Sequence, residues 1–322
     1  MTPTPSPLPP IEAIPDLPID EALALAARKF DTAAIVDRTI DLDGVAEYYR
    51  QSDRGYRLFH SREGALHIAL GCDGHRDTSG YARQADLFHE QLEAVGAHPA
   101  AGRSAIEFGC GMGFNTRWLA EHCPDRRFVG VDLTASHVRY ARKRAARLPN
   151  AEFIEGNYER LARRDAEFDG VLAVETLCQT PRLGRALAEA RRVLRPGGRL
   201  VVIDCFRSGE PDFYGESMRR AMHLVEKTTA VNAFATVDEW VDAAAEAGLS
   251  LVETRDLSLE TEANLRRLYS LSRRFFTMSA VVRAMARAFP PLLLENSICG
   301  LLMPYTVGAG AHQYQMLVVE KA

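Results

Sequence analysis

The sequence predicts an α/β fold, in which helices cover a seven-stranded sheet whose first five strands are parallel. From about residue 103, short apolar segments typical of buried strands alternate with helical segments. The residues before that point predict helices joined by polar connections. A segment rich in Arg, Leu and Phe, roughly residues 260–300, follows the sixth strand and predicts a helical insertion before the seventh.

Apolar runs bounded by turn residues define the strands. They are predicted at residues 104–108, 127–133, 152–155, 170–174, 199–204, 249–254 and 313–319. Thr134 is a predicted N-cap for the helix after the second strand. The sequence Thr-Val-Asp-Glu at 236–239 is a capping box, and it predicts the start of a helix that closes at Gly248.

These patterns divide the chain into three parts. Residues 1–20 are rich in proline and predict a disordered tail, although Asp20 can cap a helix over 21–30. Residues 21–100 predict a helical N-terminal cap, with a second helix near 81–96. Residues 101–322 form the predicted α/β domain. Two of its segments are expected to form a lid over the substrate, at about 206–235 and 258–311.

Composition excludes several classes of function. A net charge of −4 provides no basic field, so we expect no nucleic-acid partner. The six scattered cysteines form no C-x-x-C pair, which is typical of reduced thiols in a cytoplasmic protein. No metal-ligand spacing occurs, and no apolar run reaches the roughly 20 residues that cross a bilayer. We expect a cytoplasmic protein acting on a small molecule, with the helical insertion offering surface for a homodimer.

The sequence Glu-Phe-Gly-Cys-Gly-Met-Gly at 107–113 lies between a predicted strand and a predicted helix. Glycines in such a loop let the backbone approach a ligand closely, as in dinucleotide sites. Here Phe114 replaces the last glycine of the G-x-G-x-x-G pattern. Glu107 precedes the first glycine, where it favours a cationic group over a pyrophosphate.

Four segments in order resemble the motifs of class I S-adenosylmethionine-dependent methyltransferases. They are residues 105–114, 128–132, 154–158 and 187–204. The resemblance implies a Rossmann-like fold, methyltransferase activity and the cofactor S-adenosyl-L-methionine. It implies that Asp132 binds the ribose hydroxyls and that the segment after strand three contacts adenine, although Asn157 stands where Asp is commoner. The implied cofactor-binding residues are Glu107, Gly109, Gly111, Gly113, Asp132, Leu133, Asn157 and Tyr158.

Each of these assignments has a structural alternative. The three glycines can mark a tight turn without a ligand. Asp132 can be an acid that caps the following helix. Asn157 and Tyr158 can be loop and packing residues.

Strand four is followed by Glu175-Thr-Leu-Cys-Gln179, at the edge where open α/β sheets bind ligands. This placement resembles the sterol, tocopherol, cyclopropane-fatty-acid and prenyl-diphosphate carbon methyltransferases. Adding a methyl cation to an alkene leaves a carbocation, and a carboxylate can stabilise that charge and then remove a proton. We therefore predict that Glu175 is catalytic. The alternative is a paired carboxylate at a strand end.

Residues 48–71 resemble the N-terminal cap of the same enzymes, and the resemblance extends the predicted catalytic residues to Tyr49 and His67. His67 is alternatively the base for an oxygen nucleophile, or a structural histidine. Aromatic side chains in the covering segments can stabilise a cation, or form ordinary core. They are Tyr48, Tyr49, Phe59, Phe206, Phe213, Tyr214, Phe275 and Phe276.

Seven arginines in the last third of the chain suit recognition of a diphosphate, which would bring Mg²⁺ with it. They are Arg207, Arg219, Arg220, Arg266, Arg267, Arg273 and Arg274. The alternative is a solvated helix face that pairs with Glu260 and Glu262.

The leading hypothesis is a carbon methyltransferase acting on a small alkene-bearing acceptor, which we expect to be isoprenoid and similar to a prenyl diphosphate. An oxygen or nitrogen methyltransferase of a small secondary metabolite is the first alternative. A non-catalytic S-adenosylmethionine-binding protein is the second.

Overall fold

A computed structural model describes residues 14–75, 77–95, 103–278 and 289–322. Its seven-stranded sheet has the order β3-β2-β1-β4-β5-β7-β6. The strands are β1 (Arg103–Phe108), β2 (Arg126–Asp132), β3 (Ala151–Glu155), β4 (Phe168–Val174), β5 (Leu194–Arg207), β6 (Leu249–Asp256) and β7 (His312–Lys321). Strands β1 to β5 pair in parallel, whereas β7 pairs antiparallel with both β5 and β6. The predicted α/β fold is confirmed.

The strand order reverses between β1 and β4, which are neighbours in the sheet. In open α/β sheets such a reversal leaves a crevice at the carboxyl ends of the two strands, and ligands bind there. All seven residues of β4 are buried, as its apolar sequence requires for a central strand covered on both faces. The fold therefore places the candidate site beside Phe108 and Val174.

The helices of the cap and of the α/β domain follow one another along the chain. They are α1 (Ile19–Ala27), α2 (Thr32–Asp37), α3 (Leu42–Gly55), α4 (Ser79–Ala94), α5 (Phe114–His122), α6 (Ala135–Arg144), α7 (Leu183–Val193), α8 (Glu216–Thr228), α9 (Val237–Glu246), α10 (Glu262–Thr277) and α11 (Pro291–Gly308). A π-helical turn, Tyr56–His60, continues α3. Helix α11 packs against α1, α3, α8 and α10, so the N-terminal helices and the insertion form one layer. Within the described ranges, no helix is long and apolar enough to span a membrane.

The predicted disordered tail does not extend to residues 14–20. Ile14 is buried, and Asp16 accepts a hydrogen bond from the Tyr269 hydroxyl at 2.8 Å. Helix α1 begins at Ile19 with Pro18 at the N-cap, so the prediction that Asp20 caps it is wrong. Asp20 lies in the first turn instead, where a carboxylate is favourable near the helix dipole. Residues 1–13 of the predicted tail, 96–102 at the predicted domain boundary and 279–288 of the insertion lie outside the described residues.

Two predicted caps have different outcomes. The capping box is confirmed, because Thr236 and Glu239 exchange side-chain to backbone hydrogen bonds at the start of α9. Thr134 stands at the N-cap of α6, but its side chain makes no capping hydrogen bond. The carboxylate of Asp132 takes that place, since its Oδ1 accepts a hydrogen bond from the Thr134 N–H at 2.8 Å.

Candidate active site

A pocket of about 480 Å³ lies at the carboxyl ends of β1, β2 and β4, beneath the segment that follows α3. The cap provides four of its lining residues, and the sheet edge and its loops provide the others. They are Tyr49, Gly64, Leu66, His67, Glu107, Gly109, Cys110, Gly111, Phe114, Asn115, Asp132, His137, Val174, Glu175, Thr176 and Gln179.

The glycine loop fits tightly against its surroundings. Gly109 and Gly111 have φ values of +63° and +51°, a region that favours glycine. A Cβ at Gly109 would lie 2.0 Å from the Thr176 Oγ1, and one at Gly111 would lie 2.8 Å from the Leu66 Cδ1. Both glycines line the pocket, so these positions require glycine whether or not a ligand is bound.

Gly113 has a different surrounding. It has a φ of +77°, and a Cβ there would meet Phe153 and Ala141 at 2.5 and 2.7 Å. It does not line the pocket. Its missing side chain makes room for the packing of α6 and β3 against the start of α5, rather than for a ligand.

Glu107 is buried and both of its carboxylate oxygens are occupied. Oε1 accepts a hydrogen bond from the Asn115 Nδ2 at 3.0 Å. Oε2 accepts from the backbone N–H of Thr116 at 3.0 Å and from its hydroxyl at 2.5 Å. Burial raises the pKa of Glu107 to about 7, against the effect of these hydrogen bonds. Glu107 therefore holds the first turn of α5 in place while it lines the pocket.

Asp132 ends β2 and also lines the pocket. Its Oδ2 accepts a hydrogen bond from the Gly111 N–H at 2.9 Å, which ties β2 to the glycine loop. Its Oδ1 accepts from Thr134 at the start of α6. Asp132 therefore both binds the backbone at the start of α6 and lines the pocket. Leu133, the next residue, is half-buried and lies outside the pocket lining.

Asn157 and Tyr158 make loop and packing contacts. The Asn157 Oδ1 accepts a hydrogen bond from the Glu159 N–H at 2.8 Å within its own turn. The Tyr158 ring stacks on Phe108 with centroids 5.4 Å apart, and its hydroxyl donates to the Thr176 carbonyl at 3.3 Å. Neither residue lines the pocket. These are the contacts that the structural alternative describes, and the adenine contact of this segment stays a prediction.

Glu175 directly follows β4 and has a φ of +46°, a conformation uncommon for a residue with a side chain. Its Oε1 accepts hydrogen bonds from the Ile68 N–H and from the Tyr314 hydroxyl, both at 2.7 Å. Its Oε2 has no hydrogen-bond partner in the described part of the chain, where the side chain also forms no ion pair. The carboxylate lines the pocket.

The environment of Glu175 disfavours its charge. Burial, with a smaller contribution from the nearby charge of Asp204, raises its pKa to about 7. The hydrogen bonds from Ile68 and Tyr314 lower the pKa, but by less. Burial and the Glu175 charge also raise the pKa of the surrounding phenols and thiols, which keeps them neutral. They are Tyr49, Tyr56, Tyr314, Cys178, Cys205 and Cys299.

Tyr49 and His67 both line the pocket. The Tyr49 hydroxyl donates to the Gln179 Oε1 at 3.2 Å, which joins α3 to the segment after β4. The His67 Nε2 lies 2.9 Å from the Tyr81 carbonyl, so this nitrogen carries a proton and donates. Burial lowers the pKa of His67 to about 4. At neutral pH His67 is therefore uncharged and a weak base.

Among the eight aromatic residues expected to cover the site, Tyr49 alone lines the pocket. Tyr48 lies next to it, with its hydroxyl 2.8 Å from that of Tyr56. Phe206 is buried in the sheet core, while Phe213 is 82% exposed. The other four aromatic residues lie away from the pocket, where they contact other segments of the chain. They are Phe59, Tyr214, Phe275 and Phe276.

The predicted arginine cluster is dispersed. Arg207 pairs with buried Glu226 at 2.6 Å, and Arg219 pairs with Asp212 at 3.1 Å. The other described contacts join the arginines to different partners on the cap and on α10. They are Arg220 with Thr32, Arg266 with Glu262, Arg267 with the Phe59 carbonyl and Arg273 with Asp16. Glu260 pairs elsewhere, with Arg83 and Arg255. The described residues also contain no group of acids, histidines and cysteines that could hold a metal ion.

Several pocket residues were absent from the sequence prediction. His137 on α6, Thr176 and Gln179 line the pocket, and Leu66 covers Gly111. Tyr314 reaches Glu175 from β7. A histidine in the first turn of the helix that follows Asp132 was the signal that could have revealed His137.

Comparison with known proteins identifies the domain. Residues 106–202 match a family described as a methyltransferase domain. The 24-methylenesterol C-methyltransferase 2 of Oryza sativa subsp. japonica is 29% identical over 55% of this chain and 49% of its own. Phthiotriol/phenolphthiotriol dimycocerosates methyltransferase 1 of Mycobacterium ulcerans is 36% identical over 34% of this chain and 40% of its own. The chain thus spans less than two thirds of the length of these relatives.

Solved structures share the fold over most of the chain. The cyclopropane synthase MmaA2 from Mycobacterium tuberculosis has a TM-score of 0.71 at 15% identity, covering 88% of this chain and 100% of its own. The geranyl diphosphate C-methyltransferase from Streptomyces coelicolor has a TM-score of 0.57 at 18% identity, covering 87% and 97%. The [4+2]-cyclase SpnF has a TM-score of 0.68 at 19% identity, covering 88% and 97%. Residues 106–202 are thus a methyltransferase domain, and the solved structures share the fold of the chain. With this domain, the strand order and the glycine loop resemble those of the class I S-adenosylmethionine-dependent methyltransferases.

Proposed function

We propose that this protein transfers a methyl group from S-adenosylmethionine to carbon in a small alkene-bearing acceptor of isoprenoid type. The observation that carries the proposal is the geometry of Glu175. One oxygen of this half-buried carboxylate accepts hydrogen bonds from Ile68 and Tyr314, and the other has no hydrogen-bond partner among the described residues. The residue lines the same pocket as the glycine loop. A carboxylate held in this way can act on a reacting atom beside the donor.

The residues present fit the proposed donor. Gly109 and Gly111 bring bare backbone to the pocket, and Asp132 presents a carboxylate at the end of β2, as ribose hydroxyls require. When bound, S-adenosylmethionine supplies an electrophilic methyl group. Glu107 fixes the end of the loop, since its oxygens accept hydrogen bonds from Asn115 and Thr116 in the first turn of α5.

Transfer to an alkene requires a group that accepts a proton. The alkene π electrons would form the new bond to the methyl carbon while the bond from that carbon to the donor sulfur breaks. S-adenosylhomocysteine would leave with that electron pair, and a carbocation would remain on the acceptor. The Glu175 Oε2 then takes a proton from the neighbouring carbon, and the electrons of that C–H bond restore a double bond. With a pKa of about 7, Glu175 is partly ionised at neutral pH and can also hold the proton it removes.

The surroundings of Glu175 suit an apolar, transiently cationic acceptor. Burial keeps the phenols and thiols around it neutral, so they bring no competing charge. The ring of Tyr49 lines the same pocket and offers a π face or edge beside the site. The cap segment covers the glycine loop at Leu66, which supports exclusion of water from the reaction.

Transfer to oxygen or nitrogen is the first alternative, with His67 as base. The structure provides less support for it, because burial lowers the pKa of His67 to about 4, which makes its imidazole a weak base. A non-catalytic S-adenosylmethionine-binding protein is the second alternative. Mg²⁺ enters the proposal only with a diphosphate acceptor, as in one neighbouring structure that contains both.

The remaining assignments belong to the same proposal. We propose that the cap up to residue 95 and the segments around 206–235 and 258–311 enclose the acceptor. We also propose a cytoplasmic location and a small-molecule partner, with no nucleic acid. The possibility of a homodimer through the insertion stays a prediction.

The test is incubation with methyl-labelled S-adenosylmethionine and a panel of prenyl diphosphates, sterols, quinols and phenols. We expect label in a carbon-methylated alkene product, and loss of that product in Glu175→Gln. The control is Glu246→Gln, which makes the same substitution at an exposed position of α9 and should leave the product yield unchanged. A labelled methyl ether formed at full rate by Glu175→Gln would refute the proposal. If the wild-type protein did not bind S-adenosylmethionine in calorimetry, both carbon transfer and oxygen or nitrogen transfer would be refuted.

A further inference from the structure

The imidazole of His137 lies between two carboxylates that come from distant parts of the chain. Its Nε2 is 2.5 Å from the Oδ1 of Asp53, near the end of α3. Its Nδ1 is 3.4 Å from the Oδ1 of Asp132, at the end of β2. The His137 side chain is 2% exposed, and those of Asp53 and Asp132 are 17% and 12% exposed. The three groups therefore form a buried bridge between the cap and the donor side of the pocket.

This arrangement favours a charged histidine: the Nε2 is hydrogen-bonded to Asp53, and the Nδ1 lies at ion-pair distance from Asp132 without a hydrogen bond among the described residues. A neutral imidazole has one donor and one acceptor nitrogen, so it would turn a lone pair toward one of the two carboxylates. The doubly protonated ring donates toward both. Burial alone lowers the pKa of His137, but the hydrogen bonds and charges of Asp132 and Asp53 outweigh it and raise the pKa to about 9.

Helix α3 is attached on both sides of the pocket. Asp53 binds His137 on the β2 side, and Tyr49, one turn earlier, binds Gln179 on the β4 side. The Tyr49 ring also meets the His137 ring edge-on, with centroids 5.7 Å apart. Movement of α3 away from the sheet would separate Asp53 from His137 and leave a buried cation beside Asp132 alone.

We propose that His137 is a positioning residue, which couples closure of α3 over the pocket to the orientation of Asp132 toward the ribose hydroxyls of the donor. This inference rests on the proposed binding of S-adenosylmethionine. Because coupling is reciprocal, a donor that fixes Asp132 also stabilises the closed position of α3. Asp53 then contributes to donor affinity without touching the donor.

The experiment measures binding of S-adenosylhomocysteine, and of its analogue lacking both ribose hydroxyls, by calorimetry. Removing a charge-assisted hydrogen bond should weaken S-adenosylhomocysteine binding by about tenfold in His137→Gln, and by a similar factor in Asp53→Asn. Binding of the analogue should change by less than about twofold, because it cannot use the oriented Asp132. The double variant should lose no more affinity than either single variant. Glu47→Gln is the matched control, since Glu47 is an exposed carboxylate on the same helix that pairs with Arg50.

Hydrogen exchange supplies a second readout that does not depend on affinity. S-adenosylhomocysteine should slow exchange of the amides of Leu42–Gly55 in the wild-type protein and in Glu47→Gln, and should do so much less in Asp53→Asn. The inference fails if His137→Gln and Asp53→Asn bind S-adenosylhomocysteine within about twofold of wild type, or if the analogue loses affinity by the same factor. If the wild-type protein itself does not bind S-adenosylhomocysteine, the proposed function fails first.

Discussion

The ends of β1 and β4 each carry a glutamate that lines the pocket, and the two differ in how their oxygens are used. Glu107 binds Asn115 and Thr116 with both oxygens, whereas Glu175 binds Ile68 and Tyr314 with one. Burial raises the pKa of each to about 7. A raised pKa alone therefore does not identify the reacting group. The oxygen of Glu175 that has no hydrogen-bond partner among the described residues distinguishes the two carboxylates.

The largest effect is expected from Glu175→Gln. Removing a positioned base costs about 10²- to 10⁴-fold in kcat, because the carbocation can no longer transfer its proton to the protein. Affinity for S-adenosylhomocysteine should stay within about threefold of wild type, since Glu175 lies on the acceptor side of the pocket. Stopped assays with labelled donor measure the first quantity, and calorimetry measures the second.

The same substitution at the end of β1, Glu107→Gln, should lower the stability of the fold and weaken donor binding by the glycine loop. The amide would turn an N–H group toward the donors of Asn115 or Thr116, which leaves a buried group unsatisfied at a cost of about 1–3 kcal/mol. Thermal unfolding should show this loss, and donor affinity should fall with it. If Glu107→Gln instead lost much of its kcat at saturating donor while its stability stayed unchanged, Glu107 would be a reacting group and the contrast with Glu175 would be wrong.

The pH dependence of kcat sharpens the same comparison. The base must be ionised, so kcat should rise with pH, with a midpoint near the pKa of about 7 of Glu175. The residual activity of Glu175→Gln should lack this rise between pH 6 and 8, roughly one unit either side of the midpoint. A rise that persists in Glu175→Gln would assign the titration to another group. Rates measured across this range at saturating donor decide between the two.

Tyr314→Phe should give the smallest effect. Its hydroxyl favours the ionised form of Glu175, so its removal should move the pH midpoint of kcat upward. At pH 7 the loss of kcat should stay below about tenfold, because the Ile68 N–H still holds the same oxygen. A midpoint that moves downward would contradict the assigned hydrogen bond.

The donor side of the site could be predicted because it is local in sequence. The residues from Glu107 to Gly113 form one loop, and Asp132 ends the next strand. The donor-binding roles of Gly113 and Tyr158 stay predictions, since the structure shows these two residues in packing contacts. Gly113 makes room for Phe153, and Tyr158 stacks on Phe108.

The acceptor side could not be predicted beyond Glu175, because contacts between distant segments assemble it. Tyr314 reaches Glu175 only because β7 is inserted beside β5, where Tyr314 pairs with Cys205. Ile68 contributes a backbone N–H, which has no signature in a sequence. The bridge from Asp53 to His137 likewise depends on the position of α3 over the sheet.

The most direct test follows the proton that Glu175 is proposed to remove. An alkene acceptor carrying deuterium at that carbon is treated with methyl-labelled S-adenosylmethionine, and the product is analysed by mass spectrometry and NMR. The account predicts a carbon-bound methyl group and loss of deuterium in the wild-type protein, with both absent or strongly slowed in Glu175→Gln. Methyl attached to oxygen or nitrogen, or deuterium lost at the wild-type rate in Glu175→Gln, would contradict it.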